Sequence, residues 1–486
     1  MNKSMITIVM YSAGLLLTKA TSLFMLPFLT HSLSVNEVGR LEFLASITAF
    51  AGLITGLAMH EALYRYAGET NNSNERKNIA SEFYTIVWLG SLFFFPIIFA
   101  ITTLTNKSFP DITHTEVLLV ALGLLLSAPL SMALSWLRVE DHVTHFVMIT
   151  VGGCIVQISL IFIAINLHFG PPGVLFAAVI THFMQLSACH MLGYLRFRIP
   201  DSKRAKLALT YSLPIAFAGV IAFGLNGAEK WVIAATASLE SLASYAISTK
   251  LALAMCILVQ PFNMWWMGKR FSYLKFQGCE KTTRLTHTGM VWVFVLASNL
   301  LFSGPLLINF FLPVEYSDAA AYLLFPLTCA LFKELSELVN VGLLYRQQSQ
   351  RLLSINIRSL VIGGILLVLL WSLSIWGILI SLLIAQAYKL YSVYITSQNL
   401  YPLPYKLTPL MSLFACYLFF IVLSQQTETD YYRLLLSIAA PLIIVVIALK
   451  ADLLPTPASS LRAFGLKIWP KRKFISSTVN KGQLKL

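Results

Sequence analysis

The sequence predicts an all-α polytopic membrane protein of about fourteen transmembrane helices, arranged as two six-helix lobes followed by two further helices. Three observations predict it. Of 486 residues, 57% are hydrophobic and 12% are charged, about half the charged share of a soluble domain. Apolar stretches of roughly 17 to 25 residues, the length that crosses a bilayer core, recur from one end of the chain to the other. Lys and Arg collect on alternate connections: about 25 of the 35 fall on one side and about four on the other, so the richer side and both termini are read as cytoplasmic. That asymmetry, and not nucleic acid binding, accounts for the formal charge of +14.

Taken in order, the spans begin near Val9, Leu41, Phe83, Val117, Phe146, Gly173, Leu207, Ala243, Thr288, Ala319, Ile355, Ile375, Leu407 and Tyr432. The first, within Met5 to Thr30, is too long for a signal-peptide core and no small-residue cleavage motif follows it, so it is expected to stay as helix one. The second and the eighth open alike. Ser34-Val-Asn-Glu-Val-Gly-Arg-Leu41 and Ser238-Leu-Glu-Ser-Leu-Ala-Ser-Tyr245 each follow an odd-numbered span and lie 204 residues apart, which predicts two six-helix halves in the same orientation with a site between them near the midplane. Glu61 and Arg65, at the end of the second span, are spaced for an i, i+4 bridge. The fourth carries Ser127, Ser131 and Ser135, a pattern of close helix packing or of a polar groove leading to Arg138. Glu229 and Lys230 interrupt the apolar pattern between the seventh and the eighth, the basic stretch Lys269 to Arg284 separates the eighth from the ninth, and Ser372 to Ser374 barely divides the eleventh from the twelfth. The expected division is an N-terminal lobe over 1–200, a C-terminal lobe over 201–400, two additional helices over 401–453 and a basic cytoplasmic tail over 454–486.

Six cysteines stand singly, without metal-ligand spacing, and read as small core hydrophobes. No metal and no cofactor is expected. There is no GxSxG, Walker loop or HExxH, so the chain is not read as an enzyme.

The run GLLLTKATSLFMLPFLTHSLSVNEVGRLEFLASITAFAGLITGLAMHEALYRYAG (Gly14 to Gly68) resembles the opening of the Wzx-type oligosaccharide flippases of the MOP superfamily: a first helix, an LS-x-x-E-V-G turn, and a second helix ending in Gly-Leu and ALYR. AEKWVIAATASLESLASYAISTKLA (Ala228 to Ala252) is similar to the family's central DR-x-x-I-G…G-x-Y-x-x-A-x-K-L stretch, with Glu229-Lys230 in place of Asp-Arg and Ala243 where Gly is usual. The resemblance implies a MATE/MOP-like core of twelve helices that opens alternately to either face, plus two C-terminal helices. It implies as cargo an undecaprenyl-pyrophosphate-linked glycan, moved from the cytoplasmic to the outer leaflet of the bacterial inner membrane. A polysaccharide polymerase and a chain-length regulator are the protein partners it implies, beside membrane lipids.

Four lysines carry the functional reading. An ammonium at the bilayer centre costs roughly 2.5 to 3.5 kcal/mol, so Lys19, Lys250, Lys333 and Lys389, all within or near apolar spans, call for an anionic partner or a wet cavity. Ser12 and Ser22 share a face with Lys19. Lys19 is expected to neutralise the cargo pyrophosphate or to pair with Glu42. In FKELSELVN, Lys333, Glu337 and Asn340 fall on one face with Glu334 beside it; either Lys333 bridges Glu337, or the pair switches as phosphate or a proton competes for one partner. Gln386 and Lys389 share a face, and Lys389 either lines the cavity or snorkels to the headgroups. Glu42, Glu229, Lys230, Glu334 and Glu337 are the candidates for ion coupling or structural pairing, and Ser12, Ser22, Asn340 and Gln386 for polar lining. Two other functions are weighed against this one: a MATE-type ion-coupled exporter, whose cationic cargo calls for an acidic cavity, and a polysaccharide polymerase or ligase, which calls for a large outer loop.

Overall fold

The computed structural model describes residues 3–70, 72–105, 111–193, 195–427 and 429–454; side chains of residues 3–13, 15, 16 and 101–105 lie outside the description. The Ser12 side chain and residues 455–486 of the expected tail are therefore outside the description.

Hydrocarbon supplies no partner for a peptide group, so a chain this apolar can cross it only with its backbone bonded internally. The helices are α1 (Lys3–Ser32), α2 (Val35–Gly56), α3 (Met59–Gly68), α4 (Ser73–Thr105), α5 (His114–Val139), α6 (Val143–Asn166), α7 (Gly170–Met191), α8 (Ser202–Asn226), α9 (Glu229–Thr236), α10 (Leu239–Phe311), α11 (Asp318–Tyr322), α12 (Leu324–Val339), α13 (Val341–Tyr345), α14 (Ser349–Leu369), α15 (Ile375–Leu400), α16 (Leu407–Gln426) and α17 (Asp430–Lys450). Among the described residues there is no strand. Among the described residues, eleven helices are long and apolar enough to cross a membrane, and twelve if the pair bent by 41° between Tyr322 and Leu324 is one span.

Helix α10 is counted there as one, yet its 73 residues would reach about 110 Å at 1.5 Å per residue, several times the thickness of a bilayer core. It turns at Gly278, whose φ of 85° is open to glycine and strained for other residues. The two spans expected near Ala243 and Thr288 are its two arms. The basic stretch between them is thus helical on both sides of one glycine, where the sequence suggested a loop, because peptide hydrogen bonding continues past the point where hydropathy falls. The same effect starts α2 at Val35 and α4 at Ser73, before the apolar residues that announce them. Ser34 caps α2 and Thr113 caps α5, each in a reciprocal box with the Glu three residues on, which satisfies free amides of the first turn.

One buried core gathers Met59, Leu63, Phe83, Tyr84, Leu137 and Phe146, and another Met255, Val259, Trp266, Phe302, Leu327 and Leu331; the parts of the chain around them are called the first and the second lobe. The last two helices dock on the second lobe. The fully buried Tyr417 of α16 shares a hydrogen bond with Thr328 of α12 at 3.1 Å, and Asn299 of α10 donates to the Ser437 carbonyl of α17 at 2.9 Å. Within the first lobe, α2 and α3 are separated by Leu57 and Ala58, with φ of 47° and 48°; each left-handed residue costs about 1–2 kcal/mol.

Helices α13 and α15 touch through backbone, because a Cβ on Gly342 would stand 2.3 Å from the Ser397 carbonyl oxygen. Gly342→Ala is expected to destabilise the protein by about 1–3 kcal/mol through overpacking, read as a lowered Tm in detergent. An unchanged Tm would mean that the two helices can part freely.

Candidate functional site

One stripe of α2 carries the contact between the lobes. Gly39, Glu42, Ser46 and Phe50 recur at helical spacing and so share a face. A Cβ on Gly39 would stand 2.0 Å from the Leu239 carbonyl oxygen, so the starts of α2 and α10, the two segments that open alike in sequence, touch backbone to backbone. One turn further, the buried Glu42 accepts from Lys230 of α9 at 2.9 Å through Oε2 and pairs through Oε1 with Lys250 of α10. Next, Trp231 Nε1 donates to Ser46 Oγ at 2.9 Å. Phe50 then meets Trp231 edge-on at 5.0 Å and Phe223 at 5.3 Å. These contacts join the two lobes along one face of α2.

Below that seal, Lys19 of α1 reaches across to α10 and donates to Gln260 Oε1 at 3.3 Å. Its alternative partner, Glu42, is held by Lys230 and Lys250. Ser22 does not present a free hydroxyl to the cleft, since it donates to the Lys19 carbonyl at 2.9 Å.

Within the second lobe, Glu229, Tyr245, Thr249, Lys333 and Gln386 line a cavity of about 150 Å³. Tyr245 donates to Glu229 Oε1 at 3.3 Å, while Oε2 has no hydrogen-bond partner among the described residues. Gln386 donates to the Leu225 carbonyl at 3.3 Å and to Asn226 Oδ1 at 3.1 Å. No ion pair joins Lys333 to Glu337 within 4 Å; Glu337 accepts instead from Asn340 at 3.0 Å, and Asn340 accepts from the buried Arg270 at 2.9 Å. Glu334 is taken by Asn263 at 2.7 Å. The i, i+4 spacing allowed a bridge, but Glu337 bonds Asn340 at the end of its own helix, and α10 reaches this face through Arg270 on Asn340 and Asn263 on Glu334. Lys389 is buried at 8% exposure, so it lies within the lobe rather than among headgroups.

In the first lobe, Arg65 leans onto Tyr211 at 4.6 Å and toward Glu69 at 3.8 Å, while Glu61 pairs with His60 at 3.5 Å. The spacing of Glu61 and Arg65 is therefore unused. Ser127 and Ser131 line a cavity of about 420 Å³ beside the break after α2, and Ser135 accepts from Arg138 at 2.9 Å. Sequence reasoning missed Gly39, Ser46, Trp231, Gln260, Asn263 and Arg270. Gln260, Asn263 and Arg270 were findable as polar residues at helical spacing in one arm; the others are meaningful only once the lobes meet. Among the described residues, no cluster of three metal-ligating side chains occurs.

Known proteins share this fold. The structure of lipid II flippase MurJ in an inward closed conformation superposes with a TM-score of 0.69 at 12% identity, over 90% of this chain and 98% of that one. An inward-facing MATE multidrug resistance transporter of the MOP superfamily gives 0.62 at 14% identity, over 81% and 95%, and an outward-facing one gives 0.54 at 14%, over 84% and 96%. No curated protein matches by sequence. The fold is that of the MOP-superfamily transporters, and the chain is a multi-pass membrane protein. Residues 28–263 match the family described as polysaccharide biosynthesis protein, a region that holds Glu42, Lys230 and Lys250. The resemblance read from the two sequence stretches is thereby borne out at the level of that family and that fold.

A double-mutant cycle on Glu42→Gln and Lys230→Met is expected to return a coupling of about 1–3 kcal/mol in thermal stability, the range of contacting charged pairs. Additive effects would mean that the ion pair does not hold the lobes.

Proposed function

We propose that this protein is a flippase that moves undecaprenyl-pyrophosphate-linked oligosaccharide from the cytoplasmic to the outer leaflet by alternating access through a cationic cleft. The observation that carries this reading is that both lobes bring lysines toward the cleft, Lys19 from the first and Lys230 and Lys250 from the second. A diphosphate in a low-dielectric cleft needs such counter-charge. The polyprenyl tail stays in lipid while sugars and diphosphate pass the wet interior. With the cytoplasm negative, carrying about two negative charges outward is downhill by roughly 4 to 5 kcal/mol per 100 mV, so the membrane potential alone suffices as a driving force. The family match to polysaccharide biosynthesis and the likeness of fold to a lipid II flippase support the same reading. A polysaccharide polymerase and a chain-length regulator are its proposed partners.

A second reading, an ion-coupled exporter, is favoured by one observation: the buried Glu229 carboxylate with a free oxygen. It calls for transport that stops when proton and sodium gradients are dissipated and potential is kept. The flippase reading calls for transport in proteoliposomes that persists without either gradient and speeds up under an inside-negative potential, for protein oriented as in the cell.

Lys19→Ala is expected to abolish surface glycan with protein level unchanged, and Lys19→Arg to keep more of it. Normal glycan from the Ala variant would remove Lys19 from the path. For topology, cysteines placed at Ser202 and Ser477 are expected to react with an impermeant thiol reagent only from the cytoplasm, and one at Ser317 only from outside. Reaction of Ser202 and Ser477 from opposite faces would redraw the C-terminal helices.

A further inference from the structure

We infer that Lys230 and Lys250 form a diphosphate site that the Glu42 carboxylate occupies while the outer mouth is shut, and that an incoming diphosphate opens the mouth by taking Glu42's place. This rests on the proposed handling of an anionic lipid-linked cargo and adds where the anion binds and what its binding does.

The geometry points to an exchange site. Two ammoniums from neighbouring helices of one lobe sit on the two oxygens of one carboxylate from the other lobe. Two lysines flank the Glu42 carboxylate, and the next carboxylate, Glu229, is turned toward Tyr245, so a diphosphate, with more than one negative charge, matches the two ammoniums better than a single Glu does. Vicinal phosphoryl oxygens also fit donors set side by side. The lysine side chains are the more exposed partners: those of Lys250 and Lys230 keep 21% and 17% exposure against 10% for Glu42. An anion in the cleft therefore meets the lysines before it meets the carboxylate.

The consequence for the mouth follows from where Glu42 stands. It is the only charged member of the α2 stripe, between the Gly39–Leu239 backbone contact and the Ser46–Trp231 hydrogen bond. Once displaced, the carboxylate has lost both counterions in a buried setting, a costly state that hydration relieves. Water reaches it when α2 parts from α9 and α10, which is the opening of the outer mouth. Coupling of this kind is reciprocal: a diphosphate that weakens the seal binds more tightly when the seal is already weak. The same exchange makes the outer mouth selective for anions, since a neutral sugar lipid leaves Glu42 in place.

The test uses the full chain in nanodiscs with inorganic pyrophosphate as the probe, affinity measured by calorimetry and the seal by hydrogen exchange of the amides at the starts of α2 and α10. Wild type is expected to bind pyrophosphate and to exchange faster at both starts when it does. Glu42→Gln removes the competing carboxylate, so it should bind at least about tenfold more tightly, as expected when the competent state is populated in advance, and exchange fast without ligand. Lys230→Gln/Lys250→Gln should lose about tenfold or more in affinity. Should Glu42→Gln fail to accumulate with two unmatched ammoniums, Glu42→Gln/Lys230→Gln removes one charge of each sign and should still exchange fast without ligand. Wild-type affinity in the double-lysine variant overturns the site and leaves the flippase reading standing. Exchange at both starts that stays slow in Glu42→Gln, or in its charge-balanced form, overturns the gate. Failure of wild type to bind pyrophosphate overturns the inference and the anionic-cargo reading together.

Discussion

A charge in hydrocarbon must find a partner inside the protein, and most of what is specific in this molecule follows from how each one does. Glu42 is matched by two lysines from the opposite lobe, Arg40 by the buried Glu116 at 3.2 Å, and Glu334 by an amide of α10. Where the partner comes from the same lobe, the pairing fixes a fold. Where it crosses between lobes, it fixes one state of the molecule. The Glu42 contacts are of the second kind, so the ion pair is also the contact that the proposed transport cycle would have to break.

Much of the architecture was legible in the chain. Each of the fourteen expected spans falls on a helix, because hydropathy over a bilayer's length is a direct reading of the burial free energy. The opening shared by Ser34 and Ser238 was also informative: both serines cap helices, and the starts of those helices touch at Gly39 and Leu239. The turn at Gly278 was not legible, since a glycine in a polar stretch marks a loop and a bent helix equally well.

Side-chain pairing was the least legible part. Helical spacing reports which residues can meet along one helix, and it suggested Lys333 with Glu337 and Glu61 with Arg65. Both pairs gave way, mostly to other neighbours on the same helix: Asn340 for Glu337, His60 for Glu61, and Glu69 together with Tyr211 of α8 for Arg65. The contacts that matter most join residues 188 positions apart in the case of Glu42 and Lys230, and nothing in a local pattern encodes them. The lysines themselves were visible as anomalies in apolar sequence; which of them share a carboxylate was not.

The left-handed pair Leu57–Ala58 gives the sealing stripe an unusual mechanical setting. Helix α3 is held by Met59, Ala62, Leu63 and Ala67, all at 0% exposure, whereas α2 joins it through two residues outside the helical hydrogen-bond ladder. The stripe is therefore borne on an arm clamped at one end by a joint. The break thus separates the part of this span that is packed into the core from the part that carries the contacts between the lobes.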